Sequence, residues 1–383
     1  MSTDKRSMNR RELLQKGALG GLGLASLGPL ANILDIPTAF AVGAESSGIT
    51  GALITAARKE RQLNVITLPR SWADYGEIMD TFRVRYGLVI NDAIPDGSSA
   101  QEVQAIKNLK GLKRAPDVVD VSPAWAAKGK ALGLYVPYKV ATWDTIPSSM
   151  KDPHGYWYGD YYGVPAFLSV NSVVKEAPTD WPDLLSPTLR GMVALGGDPR
   201  QAGEAFGAVF AAALANGGSL DNIEPGIDFF ARVKKVGNFN PTFALPANIA
   251  KGATPIAIRW DYLHLAARDQ FKGNPAVTIH IPKHGIYAGY YCQAISRFAP
   301  DPNAARLWQE FLYTDQGQLM FLKGYTHPAR YTDLAKRGRI PASLAAKLPP
   351  AAAYKHARFA TLEQINKAQA VLVEQWGPKV AGS

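Results

Sequence analysis

The sequence predicts an α/β fold in two lobes, each a mostly parallel sheet flanked by helices, and three observations predict it. At 383 residues, the chain exceeds what one hydrophobic core usually organises, so about two domains are expected. From Ala52 onward, short β-branched runs alternate with amphipathic stretches at the spacing of strand–helix–strand units, which lay parallel strands beneath helices. A stretch rich in Pro, Gly, Asp and aromatics at 146–162 then gives way to a second series of such units, from which the chain returns near residue 282. Residues 42–164 and 282–383 are therefore expected to form a discontinuous first lobe and 165–281 an inserted second one.

In the first lobe, residues 63–68 (LNVITL), ended by Pro69, read as a buried strand. Residues 77–86 read as a helix through Ile78, Met79, Phe82 and Tyr86, closed by Gly87. After a second strand at 88–94, Ser99 and Glu102 stand at capping-box spacing and open a helix with Val103, Ile106 and Leu109 on one face. Residues 116–121 form a third strand and 123–134 another helix.

The run 163–171 is the first crossing between lobes. Beyond it come a Pro-punctuated helix at 181–190, a strand at 192–195 and an Ala-rich helix that Asp198-Pro199 opens as cap and first-turn proline. A helix at 227–236 follows, and the strand 255–261 runs into a helix at 262–271. Residues 277–281, stopped by Pro282, read as the strand returning to the first lobe; amphipathic helices at 302–313 and 362–376 complete it. Two lobes joined by a pair of strands make a hinge and a cleft, the usual place for a small ligand.

Composition narrows the function. The 19% charged and 47% hydrophobic residues describe a folded chain. One cysteine, Cys292, sits in the apolar run 289–295 and reads as a buried hydrophobe; it excludes an intramolecular disulfide and a cysteine-based zinc cage. The net charge of +10 is scattered, with no basic run carrying interleaved aromatics, so nucleic acid is not an expected partner.

The N-terminus reads as an export signal: Arg10-Arg11 followed by x-Leu-Leu resembles the twin-arginine motif, a Gly-rich apolar stretch follows, and Ala39-Phe40-Ala41 offers a cleavage site. Cleavage after Ala41 and a periplasmic location are expected. The apolar stretch, broken by Pro29, Asn32 and Asp35, is too short to span a bilayer, and no cysteine follows it for a lipid anchor.

Several segments carry a resemblance. They are Tyr162-Gly163-Val164-Pro165, Trp181-Pro182-Asp183-Leu184-Leu185 with Leu189-Arg190-Gly191-Met192-Val193-Ala194, Asp198-Pro199, Pro302-Asn303-Ala304-Ala305 through Phe311-Leu312, and Asp315-Gln316-Gly317-Gln318. In this order they resemble family 1 extracellular solute-binding proteins of ABC importers, most closely the cluster that serves polyamines, thiamine, ferric ion and 2-aminoethylphosphonate. The resemblance implies the two-lobed periplasmic-binding-protein fold (class II), a small-molecule ligand, permease subunits as partners, a monomer that closes around its ligand, and no enzymatic activity.

Ligands in open α/β lobes meet the chain beyond the carboxyl ends of strands. That rule selects Ser71, Trp72 and Tyr75 after the first strand, Asp96, Ser98 and Ser99 after the second, and Trp125 after the third. From the other lobe it selects Asp198 and Gln201, then Trp260, Asp261 and Tyr262, with Tyr287 and Tyr290 after the return strand.

Aromatic rings beside carboxylates suit an amine-bearing cation such as a polyamine, since a ring face attracts a cation by about 0.5–2 kcal/mol and a carboxylate adds charge-assisted hydrogen bonds. Plainer roles stand beside these: Asp198, Ser98 and Ser99 fit helix caps, Trp260 fits core packing, and Asp261 fits a pairing with Arg259. A phosphonate or phosphate ester is the alternative ligand, through Arg70, Arg200 and Arg259 and the helix N-termini after Ser99 and Asp198. Ferric ion is the third, although Tyr290 and Tyr291 point to opposite faces of a strand.

No GxSxG, HExxH or P-loop pattern is present, and Pro282 separates His280 from His284, so neither a catalytic site nor a metal or cofactor is expected; an exported enzyme is the competing class.

Overall fold

The computed structural model describes residues 48–382. The twin-arginine-like pair, the apolar stretch and the cleavage site at Ala41 lie outside the described residues. The first lobe opens with α1 (Gly51–Glu60), β1 (Gln62–Ile66), α2 (Tyr75–Tyr86), β2 (Val89–Ala93), α3 (Ser99–Asn108), β3 (Val118–Val121), α4 (Pro123–Ala131) and β4 (Tyr135–Val136), and ends on β5 (Tyr158–Gly163). The second lobe holds β6 (Pro165–Val170), β7 (Val193–Leu195), α5 (Gly203–Ala215), α6 (Glu224–Lys235), β8 (Phe239–Asn240), α7 (Pro246–Ala250), β9 (Ile256–Trp260), α8 (Asp261–Phe271) and β10 (Val277–His280). The chain then adds β11 (Gly289–Ser296), α9 (Pro302–Leu312), α10 (Asp315–Lys323), β12 (His327–Pro328), α11 (Tyr331–Lys336), α12 (Ala342–Ala345) and α13 (Leu362–Trp376).

The second-lobe sheet is mixed, and the five-stranded first-lobe sheet is antiparallel throughout. In the second lobe the order is β10-β6-β9-β7-β8, with β7 parallel to β8 and β9 but β6 antiparallel to β9 and β10. In the first, β11 lies antiparallel between β3 and β5 in the order β12-β5-β11-β3, and β1 and β2 pair in parallel beside them. The reason is connectivity: β6 and β11 arrive directly from the other lobe instead of through a βαβ crossover, which would fix them parallel.

Residues 277–281 do not form the returning strand. They are β10, an edge strand of the second sheet with His280 opposite Phe167, and the return is made over 281–288 into β11. Pairing with the open edge of β6 satisfies backbone groups that a free-running strand would leave to solvent, and Pro282, with no N–H to donate, ends the ladder.

The α3 cap also sits one residue earlier than expected. Ser98 Oγ accepts from Gln101 N at 3.4 Å while Gln101 Oε1 accepts from Ser98 N at 2.8 Å, so Gln101, not Glu102, closes the box. Glu102 is thereby left to turn inward. Ser98→Ala should cost about 1 kcal/mol of stability, read as a lower urea midpoint at unchanged slope; an unchanged midpoint would show that the cap is dispensable.

Aromatic packing fills the cores. Phe82 stacks near Tyr86, Trp308 and Phe311 at ring-centroid distances of 4.9, 5.1 and 5.6 Å, which fastens α2 to α9. The Ala-rich α5 is buried along nearly its whole length, its small side chains letting β9, β11 and α6 approach closely. The last helix packs against both α4 and α6: Trp376 meets Phe230 at 5.7 Å, and Gln375 Nε2 donates to Glu224 Oε1 at 2.7 Å.

Candidate ligand-binding cleft

A cleft with about 180 Å³ of free space lies beyond the ends of β1, β2 and β3 on one side and of β7 and β9 on the other. Thr67, Ser71, Trp72, Asp96, Ser98, Ser99, Glu102 and Asp120 line the first-lobe wall; Asp198, Gln201, Glu204, Phe243 and Arg259 line the second, with Tyr291 from β11. Two loops of the first wall are unusually bent. Thr67 (φ 58°) and Ile94 (φ 49°) are β-branched residues in the left-handed region, a strained backbone seen mainly at functional sites. Gly97 lets these loops meet, since a Cβ there would lie 2.6 Å from Thr67 Oγ1 and 3.0 Å from Ile94 O.

Beneath Trp72 lies a closed polar network. Asp120 Oδ2 accepts from Tyr75 OH (2.8 Å) and Tyr161 OH (3.0 Å), Tyr161 OH accepts from Trp72 Nε1 (2.7 Å), and Gln293 Nε2 donates to Asp160 Oδ2 (3.0 Å). Glu102 Oε2 accepts from Asp120 N at 2.9 Å. Burial pushes the Glu102 and Asp120 carboxyls well above the usual carboxylate range, Asp160 raises Asp120 further, and Asp160 itself is pushed up to about 6 by burial. Glu102 Oε1, Asp120 Oδ1 and Thr67 Oγ1 are buried with no hydrogen-bond partner among the described residues.

Across the cleft, Arg259 is fixed by Glu204: Nε donates to Oε2 at 2.8 Å and Nη2 to Oε1 at 3.1 Å, with both side chains buried. Its guanidinium lies 5.8 Å from the Trp72 ring centroid, so a cation of the chain itself already covers one aromatic face. Asp198 is held by Arg200 through Nε at 3.0 Å and Nη2 at 2.7 Å. Among the described residues no group of three or more His, Cys, Asp or Glu is placed to hold a metal ion.

Residues 113–364 match the family described as bacterial extracellular solute-binding protein. The chain belongs to that family. Among curated relatives, an uncharacterized protein of Haemophilus influenzae is 28% identical over 206 residues, covering 50% of this chain and 56% of that protein, so the match spans little more than half of the relative's length. Solved structures share the fold at lower identity. The periplasmic binding protein AfuA of Actinobacillus pleuropneumoniae, with fructose-6-phosphate bound, aligns with a TM-score of 0.65 at 18% identity, over 84% of this chain and 100% of that one. Iron-bound HitA of Pseudomonas aeruginosa gives 0.61 at 17% (82% and 98% covered), and a putative spermidine/putrescine ABC transporter of Listeria monocytogenes 0.60 at 14% (82% and 98%).

In this solute-binding protein, Ser71, Trp72, Asp96, Ser98, Ser99, Asp198 and Gln201 meet at the cleft. Seven other expected residues do not line it. Tyr75 is fully buried one layer below, as the donor that holds Asp120. Trp125 lies half-buried on α4 with Lys128 Nζ 4.3 Å over its ring. Trp260 sits in the core, where Tyr287 and Tyr290 flank the same small cavity; Tyr287 also stacks on Phe210 at 4.7 Å. Tyr262 is buried edge-on to Trp72 at 6.0 Å.

Asp261 pairs with Val164 and Tyr354 instead of Arg259: Oδ1 accepts from Val164 N at 3.0 Å and Oδ2 from Tyr354 OH at 2.6 Å, and burial pushes it up to about 6. It is a staple at the β5–β6 crossing. Arg259 belongs to Glu204, which with Glu102 and Asp120 was not expected at the site. For Asp120 the alternation of β3 carried a usable signal, a carboxylate inside an apolar run; Glu102 and Glu204, in first helical turns, read as ordinary capping acids.

Proposed function

We propose that this chain is the substrate-binding component of an ABC importer, exported to the periplasm as a monomer, which captures an amine-bearing cation of the polyamine type in the cleft and delivers it to permease subunits. The observation that carries the ligand class is charge. In a chain of net charge +10, the cleft lining holds five carboxyl side chains (Asp96, Glu102, Asp120, Asp198, Glu204) against the single guanidinium of Arg259. Arg259 pairs with Glu204 and Arg200 with Asp198, so the excess rests on Asp96, Glu102 and Asp120; burial disfavours the ionised form of the last two, and a cation bound beside them would favour it.

A phosphate- or phosphonate-bearing anion is the second reading. It is favoured by Arg259 Nη1, which donates to no group among the described residues, and by the first turn of α5 at the cleft. Glu204 in that turn opposes it, as does Asp198, which precedes the helix and pairs with Arg200 instead of capping it.

Thermal melting with putrescine, spermidine, thiamine, 2-aminoethylphosphonate and ferric citrate separates these classes. A cation at 100 times its Kd should stabilise the fold by about 2.7 kcal/mol. Stabilisation by the phosphonate alone would overturn the cationic reading, and turnover of any compound would favour an exported enzyme.

A further inference from the structure

We propose that Glu102 and Asp120, with Thr67 on the same wall, form a subsite for a primary ammonium group, so that the ligand is anchored by N–H donors and not by charge and ring contact alone. This rests on the cationic reading above and narrows it.

The two carboxyls adjoin, since Glu102 Oε2 accepts from the backbone N–H of Asp120 at 2.9 Å. Each keeps its other oxygen unpartnered among the described residues while being almost wholly buried, at 1% and 5% exposure. A buried acceptor without a donor is costly, and folded chains retain one chiefly where something else is to supply the donor. Thr67 Oγ1 is in the same state on a strained residue of the same wall. An R–NH3+ group carries three N–H donors and no acceptor, which suits a set of oxygens dominated by carboxyls. A quaternary ammonium has the same charge and no donor.

Two further features argue for a cation over an anion at this wall. Glu102 lies in the first turn of α3, where its carboxyl offsets the positive end of the helix. Tyr75 and Tyr161 donate to the other Asp120 oxygen and fix its orientation. The aromatic alternative is weaker, because Trp72, the ring best placed for a quaternary ammonium, already carries Arg259 on its face.

Isothermal titration of the full chain with putrescine and with its fully N-methylated, bis-quaternary counterpart tests this. The primary amine should bind at least about tenfold more tightly, the scale of one charge-assisted hydrogen bond. Glu102→Gln should weaken putrescine by about tenfold or more and shift the quaternary compound far less. Asp120→Asn should do the same; if that variant fails to fold, the wild-type ratio and Glu102→Gln still decide. Equal or tighter binding of the quaternary compound would overturn the subsite while leaving the cationic reading intact. Binding of neither compound, with capture of a phosphate monoester such as glycerol phosphate, would overturn both.

Discussion

Arg259→Met is expected to lower the unfolding free energy by about 3–5 kcal/mol. The guanidinium makes two hydrogen bonds to Glu204 with 5% and 7% of the two side chains exposed, so its removal leaves a carboxylate buried without a partner. The same change should improve the response to an amine. With Arg259 gone, Glu204 becomes a further acceptor at the cleft and the aromatic face of Trp72 is vacated, so spermidine should raise the urea midpoint of the variant by more than that of the wild type. The double variant Arg259→Met with Glu204→Gln should recover part of the lost stability and lose the enhanced response. An unchanged midpoint in the single variant would mean that the pair does not hold the wall, and an enhanced response to a phosphate ester would reverse the assigned sign of the cleft.

Trp260→Ala should cost about as much, 3–5 kcal/mol, for a different reason. The indole lies between two backbone stretches that come close only because they lack side chains: a Cβ at Gly207 or Gly289 would stand 2.3 or 2.2 Å from its Cη2 atom. Deleting the ring opens a cavity that α5 and β11, pinned by the rest of the core, cannot close. Gly289→Val attacks the same contact from the other side and should destabilise by about 1–3 kcal/mol through overpacking. Trp260 directly precedes Asp261, whose N–H donates to Val164 O at 2.8 Å, so both variants should also loosen the β5–β6 crossing. Urea denaturation gives the stability loss, and faster amide exchange at Val164 and Asp261 would report the loosening; a loss below about 1 kcal/mol would show that the site collapses without penalty.

The elements of this fold were largely legible because periodicity survives any tertiary arrangement. The strand at 63–68, the helix at 77–86 and the last helix at 362–376 follow from apolar spacing and turn residues alone. Single-residue decisions were less so. Ser98 and Ser99 are both competent caps, and which of them serves depended on Gln101 reaching back, a choice that freed Glu102 for the cleft. Residues 277–281 read as a returning strand, because a strand pattern does not record which sheet receives it; the open side of β6 took them.

The amino-acid sequence by itself determined the α/β class and the segments at whose ends a ligand could meet the chain, since these depend on spacing and composition. Only the tertiary structure decided which polar and aromatic groups face the cleft. Tyr75, Trp260 and Asp261 turned into the interior, while Glu102, Asp120, Glu204 and Arg259 became its walls. The physical reason is that burial and ion pairing belong to partners distant in the chain: Arg259 is matched by Glu204 on α5 and Asp261 by Tyr354, and no local pattern records either match.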